Sequence, residues 1–410
     1  MSKTSANSQS IIVSTVVVAA LGYFVDIYDL LLFSIVRVQS LRDIGVADTD
    51  LLNIGLSLLN WQMMGMLIGG IAWGVLGDKR GRLSVLFGSI LLYSLANIAN
   101  GFVESVEQYK WLRLIAGVGL AGELGAGITL VSEVMSKEKR GIGTTIVATV
   151  GIMGAVVAYF VASSWDWRTA YFVGGGLGLA LLVLRISVYE SGMFKNVQKM
   201  EVDRGNFIKL FTNRDLFLRY LKCILIGLPT WYVVGILVTA AREFSQAYGM
   251  EETADPGRAV MWCYTGLTIG DLSSGLLSQL LKSRKKAMYI FLTISTATII
   301  FYLMSVNISL DFFYFKTFIL GFGVGFWAIF VTIASEQFGT NIRATVTTTV
   351  PNFARGSLVP ISMAFAFFQN YTSLVGSAFI VGGICMLIAF IALSTMQETF
   401  HKDLDYLETI

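Results

Sequence analysis

The chain has 410 residues, of which 55% are hydrophobic and only 14% charged, with a mean hydropathy of +0.69 and a net charge of +3. A soluble domain carries about 25% charged residues, so this composition argues against an ordinary soluble enzyme and against a strongly basic nucleic-acid binder. Three cysteines (Cys223, Cys263, Cys385) and one histidine (His401) form no metal-ligand or disulfide spacing, and no cofactor is expected.

A hydrocarbon core of about 30 Å needs about 20 apolar residues per helix. Twelve segments meet that need, near 11–36, 52–76, 83–103, 109–133, 142–164, 168–189, 218–241, 258–281, 287–308, 312–334, 344–368 and 372–396. The expectation is an all-α membrane protein with twelve transmembrane helices. The polar stretch 191–217 carries Lys195, Lys199, Arg204, Lys209 and Arg214. It reads as a linker between a bundle over 1–190 and a second over 218–410, with charge suited to anionic lipid head groups. Residues 1–10 are polar and short, without the pattern of a cleavable signal. With the N terminus inside, about twenty Lys and Arg fall on cytoplasmic segments and about seven on the other side, which places both termini in the cytoplasm of a plasma (inner) membrane protein.

The first span holds Gly22, Tyr23, Asp26, Tyr28 and Asp29. Carboxylates inside a membrane helix mark a functional site by default, and at i and i+3 these two share one face. Asp29 could instead pair with Arg37 near the outer interface. In the second span, Asn60, Trp61 and Gln62 either line a polar cavity or close interhelical hydrogen bonds. Glycines 69, 70, 74 and 77 leave one side of that span flat, which favours close helix approach in lipid. A charged turn follows, Gly74-Val-Leu-Gly-Asp78-Lys79-Arg80-Gly81-Arg82. Asp78 and Arg82 can take partners at neighbouring helix ends and hold one face of a two-state protein shut.

The fourth span opens with Arg113 and carries Gly117, Gly119, Gly122 and Glu123. Glu123 stands roughly 15 Å inward of Arg113, near mid-membrane, where it either titrates or pairs with a buried Arg. Glu133 and Arg140 follow at the end of that span, and the sixth span ends at Glu190, a candidate partner for Arg82 or Arg140. In the second half, Pro229 interrupts the seventh span beside Trp231, where freed backbone groups suit a cavity. Asp271 in the eighth span either pairs with another charge or joins the cavity. Ser273, Ser274 and Ser278 stand at the spacing of Gly69, Gly70 and Gly74, as in the internal repeats of transporter folds. Glu336 and Arg343 repeat the Glu133–Arg140 arrangement. Arg355 lies about 18 Å beyond Arg343 along a helix, where it needs a buried carboxylate or an anionic ligand, and its planar fork suits a carboxylate.

The spacing G-x-x-x-D-K-x-G-R over Gly74–Arg82 resembles the signature loop of the major facilitator superfamily, with Leu83 where another basic residue is usual. G-x-x-x-D-x-Y-D-L from Gly22 to Leu30 resembles the first helix of its metabolite:proton symporter group. Arg113 with its glycines, Gly122-Glu123, Glu133 with Arg140, Glu190, and Glu336 with Arg343-Ala-Thr resemble further motifs of that group and of sugar porters. The resemblance implies two six-helix bundles rocking around a central site. It implies gates drawn from Asp78, Arg82, Arg113, Glu133, Arg140, Glu190, Asp271, Glu336 and Arg343. The expected function is proton-coupled symport of a small organic anion. Asp26, Glu123 and Asp29 would carry the proton. Arg355 would hold the solute, with Asn352, Trp231, Tyr23 and Gln62 around it. Efflux of amphiphilic or cationic compounds, and transport of a sugar or neutral metabolite, are the competing expectations. The expected partners are the solute, protons and membrane lipid, with the chain acting as a monomer and no nucleic acid involved.

Overall fold

A computed structural model describes residues 3–80, 82–123, 135, 140–190, 209–400 and 408. The expected linker 191–217 therefore lies mostly outside the described residues. Those residues form twelve helical passes. In the first half they are α1 (Lys3–Asp43), α2 (Leu51–Arg80), α3 (Arg82–Asn100), α4 (Val106–Leu120), α5 (Arg140–Ile152 and Gly154–Ser164) and α6 (Trp167–Glu190). In the second half, α7 runs through Arg214–Leu225, Leu228–Tyr232, a π-helical Val233–Val238 and Ala241–Ala247. It is followed by α8 (Pro256–Leu280), α9 (Arg284–Leu303), α10 (Leu310–Gly323 and Trp327–Glu336), α11 (Thr340–Gly356 and Leu358–Gln369) and α12 (Leu374–Ser394). Eight described helices are long and apolar enough to cross a membrane. Leu91, Leu95, Val183, Leu276 and Leu387 point outward, as a lipid-facing surface requires.

Each half has a seam in which glycines let the backbones of two passes touch, and the two seams correspond. A Cβ on Gly65 or Gly69 of α2 would overlap the carbonyls of Leu114 or Val118 on α4, and Gly117 is closed off in turn by the carbonyl of Gln62. In the second half, Gly266 and Gly270 of α8 lie on the carbonyls of Phe318 and Phe322 of α10 in the same way. The repeat thus aligns Gly65 and Gly69 with Gly266 and Gly270, three residues away from the alignment that the serines suggest. Backbone approach, which lipid rewards, sets the register rather than the match of small residues.

Besides the junction at Met153 in α5, three passes are interrupted. In α7, Pro229 follows a turn at 226–227 and precedes the π segment, whose Val234 carbonyl accepts from both the backbone N–H (3.2 Å) and the hydroxyl (2.9 Å) of Thr239. In α10 the break falls at 324–326, between two glycine-flanked halves. In α11, Pro351 sits inside the helix, four residues before Arg355, and removes a donor there. Broken passes at depth are tolerated where they line a cavity or are buried in protein.

Candidate functional site

Arg355 and Asp26 meet between the two halves. Nη2 of Arg355, on α11, lies 3.4 Å from Oδ2 of Asp26, on α1, and both side chains are buried. The remaining capacity of the pair is unspent: Nε and Nη1 of Arg355 and Oδ1 of Asp26 have no hydrogen-bond partner. Tyr23, one turn before Asp26, is close enough for Arg355 and Asp26 to act on its hydroxyl. Its ring fills the space that Gly151 of α5 leaves open.

The other expected acids find separate partners. Glu123, at the end of α4, forms a two-pronged ion pair with Arg185 of α6, and both are buried. The pair rests on Gly22, where any Cβ would strike both groups. The glycine that opens the first-helix motif thus serves as the seat of this ion pair. Asp29 is buried with neither carboxylate oxygen hydrogen-bonded. It does not reach Arg37; the cation acting on it is Arg113. Arg113 spends its donors on Asn97 (2.9 Å), Asn100 (3.3 Å) and Gln62 (3.5 Å) and lies over the rings of Phe33, Tyr109 and Tyr171. Gln62 also donates to the Leu30 carbonyl, so it is committed inside the first bundle instead of turning to Arg355.

On the opposite wall stand residues of the second half. Trp327 begins the lower half of α10 and lies under the Arg355 guanidinium, 6.0 Å from ring centre to charge centre. Trp231 of α7 meets it edge-on at 6.3 Å. Asn352 donates to the Ala121 carbonyl at 2.7 Å, a bond between the halves, and its own Oδ1 is free. Asp271, expected at a gate, instead accepts from the Ala328 backbone N–H at 2.7 Å and caps the restarted helix of α10. A helix broken inside a membrane exposes N–H groups that a carboxylate satisfies, as at any N-cap. Asp271→Asn should keep that acceptor and leave stability nearly unchanged. Asp271→Ala should cost about 1–2 kcal/mol, read by thermal unfolding of the purified variants.

Closure differs at the two ends. On the face bearing the termini, Arg284 at the start of α9 pairs with Glu336 at the end of α10 (3.2 Å), and Thr399 donates to the same carboxylate at 2.7 Å. Glu133 lies outside the described residues, as do the side chains of Asp78, Arg82, Arg140, Glu190 and Arg343. On the opposite face, Arg37 of α1 is fully buried. It donates to both oxygens of Glu243 on α7 at 2.8 Å and to the carbonyls of Leu51 and Thr239. Asp48 takes Arg42 and Arg242 together. Arg42, and then Arg242, hold its carboxyl well below the usual carboxylate range, so a mildly acidic medium leaves this cross-link charged. Beside it lies a cavity of about 780 Å³ lined by residues of both halves, Arg42, Asp43, Arg168, Arg242 and Asp255 among them.

A model of the Major Facilitator Superfamily matches residues 11–356. The chain belongs to the major facilitator superfamily. Among its relatives, the putative niacin/nicotinamide transporter NiaP of Bacillus subtilis is 25% identical over 82% of this chain and 84% of its own length. The probable 4-methylmuconolactone transporter of Cupriavidus pinatubonensis is 26% identical over 92% and 84%. The proton:xylose symporter XylE shares the fold, with a TM-score of 0.70 over 97% of this chain and 98% of that one at 17% identity. This major facilitator chain is thus an integral membrane transporter and not an enzyme. Four side chains at its centre and at the end opposite the termini escape the motifs. Arg185 reads as the end of a helix. Glu243 and Asp48 sit in ordinary turn-flanking positions. Trp327 is one aromatic among many in an apolar run.

Proposed function

We propose that this transporter is a proton-coupled symporter of a small organic anion, with Arg355 as the solute's counter-ion. One observation carries the reading: a guanidinium 1% exposed, held by a single ion pair, with two nitrogens unpartnered. A buried donor without a partner costs about 1–3 kcal/mol, and a carboxylate would satisfy both nitrogens through the planar fork. The names of two relatives, for niacin/nicotinamide and for 4-methylmuconolactone, are compatible with this reading, since niacin and 4-methylmuconolactone carry a carboxylate, although nicotinamide does not.

Charge balance supplies the coupling. Around the site, Asp26, Asp29 and Glu123 face Arg113, Arg185 and Arg355, three acids against three bases, all buried. Asp271 stands apart on the N-terminus of its helix. A monoanion that engages Arg355 displaces Asp26 and adds one negative charge to a medium that tolerates none unpaired. One proton on Asp26 restores balance, so one proton should accompany each monoanion. Because the Asp26–Arg355 pair joins the two halves, breaking it also releases one contact between bundles 1–190 and 218–410. Rocking of these bundles about the segment 191–217 would give alternating access. The distribution of Lys and Arg supports both termini on the cytoplasmic face.

The test is transport into proteoliposomes of a carboxylate first found by thermal-shift screening. Asp26→Asn should abolish accumulation along a proton gradient while keeping counterflow exchange. Calorimetry in buffers of different ionisation heat should report about one proton taken up per anion by the wild type, and none by Asp26→Asn. Gradient-driven accumulation that survives in Asp26→Asn would remove this residue from the coupling step.

A further inference from the structure

We infer that Trp327 and Trp231 make the Arg355 site selective for planar, conjugated or aromatic monocarboxylates bearing a second hydrogen-bond acceptor. The inference rests on the anion reading of Arg355 and adds the shape and hydrogen bonding of the rest of the solute. It starts from two donors. The indole Nε1 atoms of Trp231 and Trp327 are both buried and both without a partner, in side chains that are 4% and 5% exposed. Buried indole N–H groups ordinarily find an acceptor, and an exception in a native structure needs a cause. Here two exceptions occur in rings that touch each other edge-on, one of them facing the guanidinium that itself holds two spare donors.

The walls are flat as well as donor-rich. Phe330 packs against Trp327 with ring centres 4.7 Å apart. The Gly227 turn of α7 closes against Phe330 and Ala354, leaving no room for a Cβ. The position of Trp327 is not left to packing alone, because Asp271 caps the helix at the next residue, Ala328. The charge is limited to one: Arg113 is spent on Asn97, Asn100 and Gln62, and Arg185 on Glu123. Among the described residues, Arg355 alone keeps two guanidinium nitrogens unpartnered, which matches a single carboxylate. Rings at this distance favour a planar partner over a puckered aliphatic one, and an aliphatic dianion would offer these rings no flat face and bring a second charge without a cation.

The test is calorimetric titration of the full-length protein in detergent with four probes at up to millimolar concentration: benzoate, cyclohexanecarboxylate, pyridine-3-carboxylate and succinate. Benzoate should bind about threefold to tenfold tighter than cyclohexanecarboxylate, which has the same charge and similar size. Pyridine-3-carboxylate, with its ring acceptor, should gain about another threefold or more. Trp327→Phe or Trp231→Phe keeps a ring but removes a donor. At least one of them should erase the pyridine advantage and leave the benzoate preference. Equal affinities for benzoate and cyclohexanecarboxylate, tightest binding of succinate, or no binding of either aromatic probe would each overturn the inference. Arg355→Gln separates the two levels. If it abolishes the binding of whichever carboxylate the wild type takes, the anion reading stands whatever the ring preference. If affinities are unchanged in that variant, the anion reading falls and the ring selectivity with it.

Discussion

Arg355→Ala should lose solute binding by at least about a hundredfold, since two charge-assisted hydrogen bonds contribute about 1.5–3 kcal/mol each. The variant should also be less stable, because truncation strands Asp26 in a buried position, and breaking such a pair costs about 3–5 kcal/mol. The two effects can be separated. In the double variant Asp26→Asn with Arg355→Ala, neither charge remains, so thermal stability should return toward that of the parent while binding stays absent. Arg355→Lys keeps the charge but loses the planar fork, so it should fold and bind weakly. Unchanged affinity in Arg355→Ala would transfer the solute to another part of the site and favour a neutral or cationic substrate.

A second large effect is expected at the opposite face, where Arg37 reaches Glu243 across the bundles with two 2.8 Å contacts. Glu243→Ala leaves a fully buried guanidinium without its counter-ion, again at about 3–5 kcal/mol. That penalty is paid only while this face stays shut, so opening it to water relieves the charge. An energy of that size can move a two-state equilibrium by a hundredfold or more. With Cys223, Cys263 and Cys385 replaced, a reporter cysteine at Ser34, which now accepts a hydrogen bond from Thr239 inside the closed contact, should label much faster from that face in Glu243→Ala than in the parent. The charge-swapped pair Arg37→Glu with Glu243→Arg should slow labelling again. Equal labelling in all three proteins would reduce the contact to a packing role.

Much of this was legible because lipid imposes simple rules. Apolar length disclosed the passes, and Asp26, Asp29, Glu123 and Arg355 stood out because charge inside a span is rare. Pro229 marked a real break. The pairings were less accessible, since they join positions that local spacing cannot relate. Asp26 and Arg355 are 329 residues apart, Arg37 and Glu243 are 206 apart, and Arg185 finds Glu123 across 62. The capping role of Asp271 depends on a break at 324–326 that an unbroken apolar run conceals. Trp327 is visible as a tryptophan, but only its contact with Arg355 separates it from the aromatic residues that merely fill space.

The span between Asp26 and Arg355 has a consequence for how the protein is made. The ribosome delivers α1 first and α11 almost last, so the acid enters the bilayer long before its base exists. Glu123 and Arg185 arrive within two passes of each other and can neutralise each other early. Asp26 cannot, and must wait uncharged or wet while nine more passes are threaded. Completion of α11 is therefore the step that lets the first helix settle at its final depth, and a nascent chain stalled before residue 355 remains open at its centre to quality control.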